Sequence, residues 1–365
     1  MSNVFIRTEI APYRIDTYNA LYKRLDMKMC FYNRVGKNLP YDNDKIESQC
    51  LFKPKYFKGI TFKNSNRKLC FGLWRMLWKE KPNIVIVPEF QISTVQVLLF
   101  RFFSHRKFKV VSMTDDSYDM IANDNDFTKL HAWLRNHFAK FFDNFIVVTP
   151  QVQEWYQERY NKGIWLPIIM DEQRAIKYYQ SLLPISRQYV EDYNLLGKKI
   201  LLYVGRLVEV KNLHRVIDAF SLVETDATLI IIGDGPERDS LIKHAESVDK
   251  EIIFPGQFNG DQLYSWYNLA SVFILNSFKE AFGAVTNEAL ISGCRVIVSK
   301  KAGSSCLVTK DNGELVNPMN EIEIAKAIER QLSLAGIPDL TSSRLSKMSV
   351  SFGERIDNLI RMINN

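Results

Sequence analysis

Between Ser277 and Gly293 the chain reads Ser-Phe-Lys-Glu-Ala-Phe-Gly-Ala-Val-Thr-Asn-Glu-Ala-Leu-Ile-Ser-Gly, directly after the apolar run 271–275. A strand, a loop and a helix from about Gly283 to a stop at Gly293 are what this order predicts. At such a helix start the backbone N–H groups of Gly283, Ala284 and Val285 have no helical partner, so they can hold a phosphate next to Phe282. Glycine at 283 lets an anion come close to the backbone. Glu288 lies four residues after Ala284, one turn deeper on the same face, where its carboxylate can accept hydrogen bonds from the vicinal hydroxyls of a ribose. Glu280 precedes the helix and stands near whatever lies beyond the phosphate. Two glutamates at this separation are also what a solvated face carries.

Other candidates are spread along the chain. Val204-Gly205-Arg206-Leu-Val-Glu-Val-Lys211-Asn212 sets a planar guanidinium and a mobile ammonium after a glycine turn, a pairing suited to a diphosphate. Ile232-Gly233-Asp234-Gly235-Pro236-Glu237 lacks the third glycine of a dinucleotide fingerprint, because Arg238 stands there. Asp115, in Thr114-Asp115-Asp116, can orient an acceptor hydroxyl, contact a sugar or cap a helix. Asp42-Asn43-Asp44 and Asp124-Asn125-Asp126 have the Asp-x-Asp form of a metal site but lie in polar stretches without a flanking strand, so no metal site is assigned. The five histidines read as solvated or packed.

The elements that must position these groups are legible as short β-branched runs. Ile200–Val204, Thr228–Ile232, Glu251–Phe254, Ser271–Leu275 and Arg295–Ser299 hardly alternate, as strands buried on both faces of a parallel sheet do. Helical segments lie between them, one with Asn212 placed to cap it. The first half has candidate strands at Val4–Ile6, Ile84–Val87, Lys109–Ser112 and Phe145–Val148. The stretch 165–171 looks like a hinge. The reading is α/β: two doubly wound Rossmann-like domains facing across a cleft, with ligands at strand carboxyl ends.

The 365 residues suit two domains, and 46% apolar with 24% charged residues is globular composition. The net charge of +7 is unevenly divided: residues 1–180 carry 28 basic and 18 acidic side chains, and residues 181–365 carry 20 and 23. That division argues against a nucleic-acid coat. Five scattered cysteines fit neither a disulfide framework nor a zinc site. Arg7 and Glu9 interrupt any signal peptide, and no apolar stretch is long enough to span a bilayer. A cytoplasmic or peripheral protein is expected.

Taken together, residues 200–317 resemble the donor-binding domain of retaining GT-B glycosyltransferases of family 4. The resemblance rests on Leu202-Tyr-Val-Gly-Arg-Leu-Val-Glu-Val-Lys-Asn-Leu213, Ile231-Ile-Gly-Asp-Gly-Pro-Glu237, the Glu280-x7-Glu288 pair with its Phe-Gly, Val272–Leu275 and Asn312–Val316. Ala11-Pro12-Tyr13-Arg14 resembles the first loop of such enzymes, an acceptor or phosphate loop. It implies an acceptor domain at 1–168, a donor domain at 169–343 and a C-terminal helix at 344–365 packing back on the first domain. It further implies that Arg206 and Lys211 contact a nucleotide-sugar diphosphate, with Gly205 and the Gly283 amides assisting. Glu288 would hold the ribose, and Glu280 would lie beside the transferred sugar as a catalytic group with Asp115. No cofactor or bound metal is implied, and the basic first half points to a saccharide acceptor that is lipid-linked at the cytoplasmic membrane face. Members commonly carry a glycine pair and an acid where this chain has Ala302-Gly303-Ser304-Ser305-Cys306, and a His-Asp where it has Thr114-Asp115-Asp116. An epimerase or hydrolase of the same fold and a non-catalytic nucleotide-sugar sensor are the competing readings.

Residues 51–81 hold nine Lys or Arg against Glu80, interleaved with aromatic rings. Arg67, Lys68, Trp74, Arg75, Trp78 and Lys79 suit an anionic membrane surface, where indoles sit at headgroup depth. Phe71, Trp74 and Trp78 at helical spacing would equally pack against the first domain's sheet.

Overall fold

The computed structural model describes residues 2–34, 42–62, 68–122 and 129–364, without side chains at 129–132. The chain divides into two compact units, Met1–Ile168 with Gly353–Asn365, and Ile169–Phe352.

The first unit is built on a seven-stranded parallel sheet. Its order is Lys55–Tyr56, Met27–Phe31, Asn3–Arg7, Ile84–Pro88, Lys109–Met113, Asn144–Val147 and Ile164–Trp165. Ile84–Pro88 is buried at every position, which is why its sequence shows no alternation. An antiparallel hairpin, Gly59–Thr61 with Lys68–Cys70, lies outside the sheet. The C-terminal helix, Phe352–Asn364, belongs largely to this unit: Ile356, Leu359 and Ile363 are buried, and Lys109 Nζ donates to the Ile363 and Asn364 carbonyls at 2.9 Å.

That helix begins later than the 344 expected from sequence. Residues 344–348 stay extended because the second unit uses their polar groups. The Arg344 guanidinium donates to the Ala270 and Tyr267 carbonyls at 2.7 and 2.6 Å, and Lys347 N–H donates to the Leu290 carbonyl at 2.8 Å. Trp165, first residue of the stretch 165–171 expected to be hinge, ends Ile164–Trp165, the last strand of the first sheet, and the two units divide at Ile168 and Ile169 within that stretch.

The second unit has a six-stranded parallel sheet ordered Ile252–Gly256, Thr228–Ile232, Ile200–Val204, Val272–Leu275, Arg295–Ser299, Gly313–Val316. Three of the four inner strands, at 200–204, 228–232 and 272–275, are wholly buried. Asn212 precedes helix Leu213–Ser221 but does not cap it. Its backbone is left-handed at φ +57°, and its amide donates instead to the Pro318 carbonyl at 2.7 Å.

Candidate active site

In the second unit the strand order reverses between Ile200–Val204 and Val272–Leu275, the place where open α/β sheets favour ligands. Phe278 N–H donates to the Val210 carbonyl at 2.9 Å, tying the two carboxyl-end loops together. The tie brings Lys211 to Glu280 in an ion pair, with 15% and 18% of the side chains exposed. Arg206 is exposed, and its guanidinium makes no hydrogen bond or ion pair among the described residues. One cation of this loop is therefore held by a carboxylate, and the other faces solvent.

The Gly-Asp-Gly stretch serves packing. A Cβ on Gly233 would lie 1.8 Å from the Gly205 carbonyl oxygen. Leu207 N–H donates to the Asp234 carbonyl at 2.9 Å, and Glu237 N–H to the Leu207 carbonyl at 3.0 Å. The loop after Thr228–Ile232 is thus a buttress that fixes Gly205, Arg206 and Leu207 from behind.

The helix predicted over 283–293 is shorter, Val285–Ile291. Ser292 and Gly293 N–H groups still bond back to Glu288 and Leu290, so the end is a turn rather than a further helical step. The N–H groups of Gly283, Ala284 and Val285 donate to nothing among the described residues, while Phe282 is buried and anchors the loop. A helix of seven residues carries only a small macrodipole at this end. Gly303 supports the loop from the other side. Its N–H donates to the Glu280 carbonyl at 3.1 Å, and a Cβ there would lie 2.2 Å from the Ala281 carbonyl oxygen. Ser304, at the position of the missing second glycine, hydrogen-bonds Thr286 at 2.8 Å and so ties this loop to the helix.

Glu288 is buried, and its two carboxylate oxygens accept from the Tyr264 and Tyr267 hydroxyls at 3.2 and 2.7 Å. Burial pushes its carboxyl above the usual range, and the two hydroxyls pull it back only in part. Sequence reasoning missed both tyrosines. Their signal was a spacing of three on helix Asp261–Leu269, which sets them on one face. It also missed Asn276 and Ser277, fully buried at the end of Val272–Leu275. Their side-chain polar atoms make no hydrogen bond among the described residues, a rare condition in protein interiors.

In the first unit the order reverses between Asn3–Arg7 and Ile84–Pro88. Pro12–Arg14 form a short 3-10 turn in which Tyr13 is exposed and Arg14 is 1% exposed. Arg14 and Arg7 both donate to Asp115, and Arg7 also donates to the Met113 carbonyl. Burial alone would raise the Asp115 carboxyl, but the Arg14 and Arg7 guanidiniums overcome this and hold it below the usual carboxylate range. Both Asp115 carboxylate oxygens are thus engaged by guanidiniums. In this arrangement Asp115 is the counter-ion that positions two arginines.

Next to it lies a cluster the sequence did not reveal. Burial and the adjacent Glu89 carboxylate push the Asp116 carboxyl well up, against a hydrogen bond from Thr114 at 2.5 Å. Tyr156 donates to Glu89 at 2.8 Å. The following Phe90 adopts φ +39°, uncommon for a bulky side chain and a local strain at this strand end.

Asp42 caps helix Asn43–Ser48 by accepting from the Asp44 and Lys45 N–H groups. Asp124-Asn125-Asp126 lies outside the described residues, among which no three His, Cys, Asp or Glu gather as metal ligands.

Residues 187–345 match the family described as glycosyl transferases group 1. The match lies wholly within the second unit. The chain is 36% identical over 141 residues to an uncharacterized glycosyltransferase, MJ1607, of Methanocaldococcus jannaschii, covering 37% of this chain and 36% of that protein. It is 34% identical over 128 residues to a GDP-mannose-dependent alpha-mannosyltransferase of Mycobacterium tuberculosis, covering 35% of this chain and 32% of that one. The matches thus span about a third of the length of these curated relatives. Solved structures resemble the whole chain. Anabaena Alr3699/HepE in complex with UDP superposes with a TM-score of 0.70 at 16% identity, over 100% of this chain and 95% of that one. The lipopolysaccharide outer core galactosyltransferase WaaB gives 0.69 at 17% identity, over 99% of each chain. The fold is that of the GT-B glycosyltransferases. The matched stretch contains every donor-side candidate: Gly205, Arg206, Lys211, Glu280 and Phe282 to Val285, with Glu288.

Proposed function

We propose that this chain is a retaining, metal-independent glycosyltransferase of family 4, Glu280-x7-Glu288 type, working in polysaccharide or glycan biosynthesis. Its second unit takes a nucleoside diphosphate sugar, and its first takes a saccharide acceptor, lipid-linked at the cytoplasmic face of a membrane. The observation that carries this reading is the Lys211–Glu280 ion pair beside exposed Arg206, at the switch point of a glycosyl transferases group 1 domain.

The chemistry follows from charge. Departure of the diphosphate builds negative charge on the leaving oxygen, and Lys211 with Arg206 offsets it in place. As Lys211 turns to the phosphate, Glu280 is released to face the positive charge that develops on the sugar. The leaving diphosphate takes the acceptor proton. Glu288 holds the ribose with the lone pairs its tyrosines leave unused. Arg14, set by Asp115, holds the turn whose exposed Tyr13 meets the acceptor. The named sugar-transferring relatives and a solved neighbour holding UDP and glucose support a nucleotide-sugar donor.

The test is nucleotide release across a donor panel. Arg206→Ala and Glu280→Ala should each lower turnover by about 10²–10³-fold, the usual cost of losing one placed electrostatic group. Full activity in both variants would remove this site assignment. Donor turnover without acceptor would instead indicate an epimerase or hydrolase, and donor binding without any turnover a sensor.

A further inference from the structure

The first unit carries an apolar face that its own core does not use. Helix Leu73–Glu80 buries Leu73, Met76 and Leu77 and leaves Trp74 and Trp78 at 42% and 58% exposure. Helix Ile92–Ser104 buries Val97 and Phe100 and leaves Val95, Leu99, Phe102 and Phe103 outside, the last two at 72% and 62%. Positions 95, 99, 102 and 103 share one helical face. The two stripes join, since the Trp74 ring lies 6.4 Å from Phe103, and both tryptophans set an edge on Phe100. Beside Trp74 runs an open groove of about 410 Å³, lined by Leu69, Cys70, Phe71 and Gln96 among others. Single exposed rings are ordinary, but six joined apolar side chains mark an interaction surface.

The face is preformed and its rim is basic. Trp74 Nε1 donates to the Gln96 carbonyl at 2.9 Å, and the Arg106 guanidinium sits 4.2 Å over the Trp78 ring. Arg75, Lys79, Lys81 and Lys107 are exposed around it. The acids between 71 and 107 are Glu80, engaged by Lys28, and Glu89, which is buried. Two of the sequence candidates do not contribute. Lys68 is buried, donating to the Tyr32 carbonyl at 2.7 Å and to Asn33 at 3.0 Å, and Arg67 lies outside the described residues.

We infer that this face docks on an anionic lipid bilayer, with Trp74, Trp78, Phe102 and Phe103 at headgroup depth and the groove beside Trp74 receiving a lipid chain. Indoles and phenyl rings favour that depth, and the lysine and arginine rim meets lipid phosphates. A second copy of this chain is a poor occupant, because a self-complementary contact would set one basic rim against another. The inference deepens the proposed function, resting on its membrane-located acceptor and adding the surface that reaches the membrane.

The test is co-sedimentation with vesicles of phosphatidylcholine alone and of phosphatidylcholine with phosphatidylglycerol. Native protein should bind the anionic vesicles, lose binding as salt rises and bind neutral vesicles weakly. Phe102→Ser/Phe103→Ser and Arg75→Glu/Lys79→Glu should each weaken binding at least about tenfold. Both should keep the native circular dichroism and native nucleotide release with a water-soluble acceptor. Trp74→Phe/Trp78→Phe should abolish any vesicle-induced blue shift of tryptophan emission. Native vesicle binding that none of these variants changes would overturn this surface and leave the membrane reading standing. Absence of any vesicle binding would overturn both, with donor turnover untouched. A native dimer that Phe102→Ser/Phe103→Ser makes monomeric would assign the face to self-association instead.

Discussion

Where the strand order reverses in the first unit, the loops bring Arg7 and Arg14 to Asp115, and Asp116 to Glu89. At the equivalent point of the second unit they bring Lys211 to Glu280 and leave Arg206 in solvent. Both places are strand carboxyl ends of a doubly wound parallel sheet, so topology alone does not choose the chemistry. What differs is how each arrangement is held. The first unit locks its charges by mutual pairing below the surface, where removing one partner strands another. The second also pairs Lys211 with Glu280, but it fixes its loops by backbone contacts, at Gly233 on Gly205 and Gly303 on Ala281, and leaves Arg206 exposed.

The largest stability effect should therefore fall in the first unit. Asp115→Ala leaves two guanidiniums without their carboxylate, one of them 1% exposed, and breaking such a pair typically costs about 3–5 kcal/mol. Thermal melting should show the loss at neutral pH. The native pair also predicts its own pH dependence. Because Asp115 binds its proton more weakly folded than unfolded, its contribution is present above about pH 4 and fades as pH falls through its depressed folded value. A variant that melts like the native protein would erase the proposed difference between the units.

In the second unit the corresponding break is of backbone. Gly303→Ala places a methyl 2.2 Å from the Ala281 carbonyl, so the Glu280 loop must shift. Overpacking of this kind costs about 1–3 kcal/mol. The informative readout is donor affinity by calorimetry, which should weaken more than stability falls. If affinity stays native while the protein loosens, the loop contact is packing alone and the donor site lies elsewhere.

The same contrast decides what could be read from the sequence. The inner strands of the second unit stood out because burial on both faces forces runs such as Thr228-Leu-Ile-Ile-Ile232. Met27–Phe31 and Lys55–Tyr56 did not, since Met-Lys-Met-Cys-Phe has no β-branched residue and is held as strand by its pairing with Asn3–Arg7. Gly313–Val316 and Ile164–Trp165 are short edge strands with the same weakness of local signal. Among the candidates, Glu280 and Glu288 were legible because one loop and the helix after it carry them in a fixed spacing, and Lys211 because it follows a strand and a glycine turn. Arg7, Glu89 and Tyr156 were not, because each comes from a different strand end or helix, and Tyr156 meets Glu89 across 67 residues. Asn212 shows the reverse error: its residue type favours a cap, and tertiary hydrogen bonding to Pro318 took the amide away.

The smallest effect has the sign opposite to that of Asp115 and comes from its neighbour. Burial and Glu89 raise the folded pKa of Asp116, so its contribution is intact below about pH 4 and is lost as pH rises through the elevated folded value. Asp116→Asn keeps the shape of the neutral acid and removes the ionisation, and its amide can donate to Glu89. Melting temperatures of the variant and the native protein should therefore nearly coincide in acid and separate in the variant's favour toward alkaline pH. Tyr156→Phe serves as the control, because it deletes the other hydrogen bond to Glu89 while leaving the carboxyl pair in place. That variant should lose stability and keep the native slope of melting temperature against pH in the range where Asp116 titrates. An Asp116→Asn profile parallel to the native one would mean that Asp116 and Glu89 do not share a proton. The first unit would then hold only the arginine cluster at its switch point, and the contrast with the second unit would narrow to burial.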